Sequence, residues 1–219
     1  MPGIRQNWHH VLAHAAGLAP LIILAIAYLR GELEADPYRY ATLHSGSSGL
    51  LLLVASLACT PVNTLLGWRQ AVQIRRTLGL YGFLYVMLHL LSYAVFDSQF
   101  DAELIWRDLG ERRSMLVGFL AFAALVPLAL TSTSGWKRRL AKRWRLLHRL
   151  VYLALPLSVL HFFWLDRDFI QRPIIYAVVV GVLLVLRLPP VRRAIAHARA
   201  RLIRPRAAII APPHLNDRQ

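Results

Sequence analysis

The side chains able to do chemistry inside the long apolar runs of this 219-residue chain are histidines. An imidazole can hydrogen-bond, carry a proton or ligate a metal. Ionisable groups at membrane depth are costly, so each is a functional hypothesis. His89 stands between Leu88 and Leu90, and His148 and His161 stand on a later apolar run. Their spacing of 13 residues is about 3.6 helical turns, roughly 20 Å, and leaves the two side chains about 60° out of phase, on one face. His89 lies roughly 16 Å along its own run at helical rise. His89 and His161 therefore reach similar depth on different helices. Two imidazoles at matched depth suit six-coordinate b-type haem, whose iron takes one axial nitrogen from each side of the ring.

The competing reading of each histidine is a hydrogen bond to a neighbouring helix. His14, at the start of the first run, and His44, before the second, are candidates for secondary haem contacts or helix-end polar residues. His9, His10, His197 and His214 read as exposed surface residues. Zinc would want three or four close ligands, with cysteine or carboxylate among them. Cys59 is the one cysteine, reads as a small buried hydrophobe, and excludes an internal disulfide. No HExxH, GxGxxG or P-loop pattern is present, and no buried carboxylate is available for a hydrolase triad. Reducing equivalents must then arrive from a partner, a quinone or a bound flavin.

The elements that must position these residues are membrane helices. The composition is 57% hydrophobic and 17% charged, unusual for a soluble domain. Six runs, 11–29, 47–65, 78–96, 115–131, 147–165 and 173–188, approach the roughly 20 residues needed to span hydrocarbon. The first reads as a retained anchor rather than a cleaved signal. Of the 11 acids, ten fall in the connections holding Glu32, Glu34, Asp36, Asp97, Asp101, Glu103, Asp108, Glu111, Asp166 and Asp168. The alternate connections, with Arg69, Arg75, Arg76 and a cluster from Lys137 to Arg145, and the tail from Arg187 are basic. The positive-inside rule places both termini in the cytoplasm. It also accounts for the net charge of +15 without nucleic acid; anionic membrane lipids are the natural partner of such a face. The expected organisation is all-α: a six-span transmembrane haem-binding domain over 1–190 and a basic cytoplasmic tail over 191–219. Within the tail, 192–204 reads as a surface helix. No second domain or internal repeat is read.

Ordered across these runs are HAAGL (14–18), ADP (35–37), HSG (44–46), RTLGL (76–80), LHLLSY (88–93), TST (131–133), KRW (142–144), LH (147–148), VY (151–152), and His161 with Trp164. This set resembles the MsrQ (YedZ) family, the haem-binding membrane subunits of bacterial MsrPQ methionine sulfoxide reductase systems, within the ferric-reductase-like transmembrane superfamily. The resemblance implies haem b, one or two copies, with His89, His148 and His161 as its ligands, and a bound FMN. It implies electrons drawn from the quinone pool, with a cytoplasmic flavin reductase as a further donor. The acceptor it implies is MsrP, a periplasmic molybdopterin enzyme that repairs oxidised envelope proteins. NADPH oxidases in the wider superfamily carry two histidines thirteen residues apart on the third span. Here Arg76 occupies the position thirteen before His89, so an inner haem on His148 lacks its usual partner unless His14 supplies it.

The sequence therefore reads as an electron-transfer subunit of the inner membrane, with acidic outer loops, 97–111 the longest, as a docking surface for its partner. Two alternatives stand beside it: a stand-alone transmembrane ferric or quinone reductase, and a non-redox transporter or scaffold.

Overall fold

The computed structural model describes residues 3–33, 36–165 and 171–208, with side chains described between 7 and 200. Glu34, Ala35, Asp166, Asp168, His214 and Asp217, with the prolines at 212 and 213, lie outside the described residues.

The described chain is helical, and the all-α membrane bundle expected from the apolar runs is borne out. In chain order the helices are α1 (Gly3–Leu29), α2 (Pro37–Leu66), α3 (Arg69–Ser92), α4 (Ala102–Glu111), α5 (Arg113–Leu130), α6 (Ser134–Leu147), α7 (Val151–Leu165), α8 (Gln171–Val185) and α9 (Pro189–Ala208). A π-helical turn, Tyr93–Asp97, extends α3, and a 3-10 turn, His148–Leu150, joins α6 to α7. Among the described residues, five segments are long and apolar enough to cross a membrane; a sixth counts if α8 and α9, bent by 73°, form one broken span. Within the expected run at 173–188, α8 ends at Val185, ahead of Pro189 and Pro190.

Two expected connections are themselves helices. The acidic loop contains α4, amphipathic and only ten residues long, too short and too charged to show as an apolar run. The basic loop is α6, with six Lys and Arg side chains and no acid. Asp36, with Pro37 at the first turn, caps α2 by accepting from the Arg39 N–H. Asp101 caps α4 and Thr133 caps α6 in the same manner. Each satisfies an amide that the first helical turn leaves without a partner.

Because lipid is as apolar as leucine, packing in the bilayer depends on small residues and interhelical hydrogen bonds. Across α2 and α3, a Cβ on Gly49 would meet Val86 at 2.9 Å, and one on Gly82 would meet Leu53 at 2.8 Å. The main core joins α2, α5, α7 and α8 through Leu53, Leu57, Leu125, Ala154, Leu155 and Val180. A second core joins α1, α2 and α3 through Ala13, Leu52, Ala71 and Tyr85. Tyr85 fastens α1 by inserting its hydroxyl into that helix's own ladder. It donates to the Gly17 carbonyl at 2.7 Å and accepts from the Leu21 N–H at 3.1 Å, the two groups that would otherwise bond each other.

His9 is a correction. It was expected on the surface but is buried, with both ring nitrogens unpartnered among the described residues. The helix begins at Gly3, ahead of the apolar run, so His9 lies one turn before buried Ala13 and shares its inward face.

Candidate haem-ligand pair between two helix couples

His89 on α3 and His161 on α7 face each other, with ring centroids 6.1 Å apart and planes inclined at 78°. His89 Nδ1 donates to the Thr42 carbonyl on α2 at 2.8 Å, and His161 Nδ1 donates to the Ser114 carbonyl on α5 at 2.7 Å. A carbonyl only accepts, so each Nδ1 carries the proton and each Nε2 keeps its lone pair. That second hydrogen bond fixes tautomer and ring orientation, as metal-ligating histidines require.

Glycine permits both contacts. A Cβ on Gly46 would lie 2.8 Å from His89 Nδ1, and one on Gly118 would lie 2.6 Å from His161 Nδ1. Thr42, Gly46 and His89 recur as Ser114, Gly118 and His161, each 72 residues later. The reading of no internal repeat is corrected at this level: α2 with α3, and α5 with α7, build the same ring holder twice.

The pair fits an iron between two axial imidazoles. A metal–imidazole bond of about 2.0 Å, plus roughly 1.1 Å from nitrogen to ring centre, sets two trans rings about 6 Å apart. Among the described residues, no group of three or more His, Cys, Asp or Glu side chains is placed to hold a metal ion.

The other candidates sit elsewhere. Thr131 Oγ1 donates to the Pro127 carbonyl at 2.5 Å, so at its 3.2 Å contact with His148 the hydroxyl accepts and His148 Nε2 donates. The His148 ring stacks on Trp144 at 3.9 Å. The 3-10 turn at His148 also interrupts the helical phase that had put it on one face with His161. His14 Nδ1 lies 3.1 Å from the Tyr81 hydroxyl. There it lines a groove of about 280 Å³ with Arg76, Thr77, Leu80, Tyr81 and Leu84. His44 Nε2 donates to the Pro20 carbonyl at 2.9 Å, tying α2 to α1. Asp108, expected among the acids of a docking surface, is instead buried and bonded to Tyr93 and Arg112.

Helices long and apolar enough to cross a bilayer place this chain among multi-pass membrane proteins, and the class is the ferric-reductase-like transmembrane proteins. The family described as ferric reductase like transmembrane component matches residues 45–159, and the chain is a multi-pass membrane protein of that kind. Within the class it belongs to the MsrQ family. It is 43% identical to a protein-methionine-sulfoxide reductase heme-binding subunit MsrQ of Rhodospirillum rubrum, over 90% of this chain and 95% of the other. A protein of the same name from Caulobacter vibrioides is 42% identical over 83% of this chain and 87% of its own. One from Herminiimonas arsenicoxydans is 41% identical over 78% and 80%. No solved structure matches the chain.

Proposed function

We propose that this chain is the haem b-holding electron-transfer subunit of a methionine sulfoxide reductase system, with His89 and His161 as axial ligands of one haem. The observation that carries the reading is the 6.1 Å ring separation with both Nδ1 atoms engaged. Bound haem supplies reversible one-electron exchange at iron. The chain's own residues hold two imidazoles with ring centres 6.1 Å apart, each with its Nδ1 proton bonded to a backbone carbonyl. His148 commits its Nε2–H to Thr131 and Arg76 stands where a facing histidine would be needed, which supports one haem rather than two.

The names of the relatives support the system; the finer partners follow from the family resemblance. Electrons enter from quinone, with FMN as a second carrier and a cytoplasmic flavin reductase as a further donor. They leave to a periplasmic MsrP-like molybdopterin enzyme that repairs oxidised proteins. With α8 taken as a sixth crossing, the charge asymmetry supports an inner-membrane setting with both termini cytoplasmic, a membrane domain over 1–190 and a basic tail over 191–219.

The test is a dithionite-reduced-minus-oxidised spectrum with pyridine haemochromogen quantification of detergent-purified protein. One b-type haem per chain is expected, and His89→Ala and His161→Ala should each strip or convert it. Unaltered haem content and spectrum in both variants would reject the pairing.

A further inference from the structure

We infer that Asp108 is a positioning residue for both imidazoles, though it touches neither. The inference rests on the haem reading above. Asp108 is only 4% exposed, on a short helix whose other acids are in the open. Tyr93 Oη donates to its Oδ2 at 2.8 Å, and Arg112 Nε forms an ion pair with its Oδ1 at 3.2 Å. A buried carboxylate is held here by one charge-assisted hydrogen bond and one ion pair.

Each partner leads to one ring. Tyr93 lies one turn beyond His89, and its backbone N–H bonds the His89 carbonyl. It is also where α3 passes into the π-helical turn. A π turn holds one extra residue and is uncommon, so a side-chain anchor at its first residue fixes where the extra residue sits. Arg112 stands immediately before α5, and its carbonyl accepts from the Met115 and Leu116 N–H groups. Inside that turn is Ser114, whose carbonyl orients His161. One carboxylate therefore ties the end of the helix carrying the first ring to the start of the helix that aims the second. If Asp108 merely stapled α4 to the bundle, its loss would lower stability and leave the rings at their present angle.

The discriminating measurements are the ferric electron paramagnetic resonance signal and the midpoint potential of haem-loaded, detergent-purified protein. Tyr93→Phe and Asp108→Asn should each shift both readings in the same direction. The double variant should shift them no further than the larger single change, because the contact that Tyr93→Phe removes is one of the two that Asp108→Asn already disrupts. Glu111→Gln, on the exposed end of α4, should leave both at the parent values. Haem-loaded Tyr93→Phe with the parent signal and potential would overturn the inference, as would fully additive shifts. Should Asp108→Asn fail to accumulate, Tyr93→Phe, which removes a single hydroxyl, decides by the same two readings. A parent protein purified without haem would instead reject the haem reading.

Discussion

Arg187 completes a helix it does not belong to: its Nη2 donates at 2.5 Å to the Leu57 carbonyl on α2. Pro61 lies inside α2 and has no N–H to offer the carbonyl four residues before it. The guanidinium substitutes for the missing donor, and it also lies over the Tyr152 ring on α7, 6.0 Å from its centre. A chain segment at the end of α8 is thereby stitched to the middle of the bundle. Arg187→Met should lower stability by about 1–3 kcal/mol, the usual cost of orphaning a buried polar group. Pro61→Ala restores a backbone donor, so the same arginine substitution should cost much less in that background. Thermal unfolding of the four proteins in detergent reads the difference; equal losses in both backgrounds would contradict this account.

Gly46 and Gly118 should respond alike to a methyl group. Alanine at either site drives a Cβ against an imidazole, an overpacking of about 1–3 kcal/mol. Relief requires the ring to move, so Gly46→Ala and Gly118→Ala should each reduce haem retention on purification. Gly110→Ala is the contrast: nothing lies within 4 Å of a Cβ there, and alanine inside a helix should add about 0.5–1 kcal/mol. Quantified haem per chain in the three variants checks the pattern.

The 78° between the His89 and His161 planes predicts a spectroscopic signature. Axial imidazoles set nearly perpendicular leave two iron d orbitals close in energy. The ferric protein should then give a highly anisotropic low-spin signal with one dominant low-field feature. A rhombic set of three resolved features, the mark of near-parallel planes, would show that the rings turn from this arrangement when iron is bound.

His148→Ala separates one haem from two. With Nε2 donated to Thr131 and the ring stacked on Trp144, its loss should leave haem content and the reduced spectrum unchanged. A halved haem yield would instead place a second iron beside it.

The depth argument from helical rise was enough to pair His89 with His161, because matched position along two helices is legible from residue number and span limits. Their holders were not legible as residue types. Thr42 and Ser114 act through backbone carbonyls, which any residue supplies, and glycines are common in membrane helices. The common interval of 72 residues linking all three pairs was the available signal, hidden because hydropathy alone does not repeat with it. His148 misled for the opposite reason: thirteen residues of ideal helix put it in phase with His161, and a 3-10 turn breaks that ideal. Asp108 looked like the other loop acids because nothing in composition announces a carboxylate turned inward on a ten-residue helix.

The Tyr85 hydroxyl within the α1 ladder has a mechanical consequence. Side chains that merely interlock can slide by a fraction of a turn, but a hydroxyl exchanged into another helix's backbone bonding cannot shift without breaking two bonds. The vertical level of α1 is thus dictated by α3, the helix that carries His89. In a thinner or thicker bilayer the two cannot adjust their tilt independently. Mismatch at α1 is transmitted as a lean of the helix that carries His89.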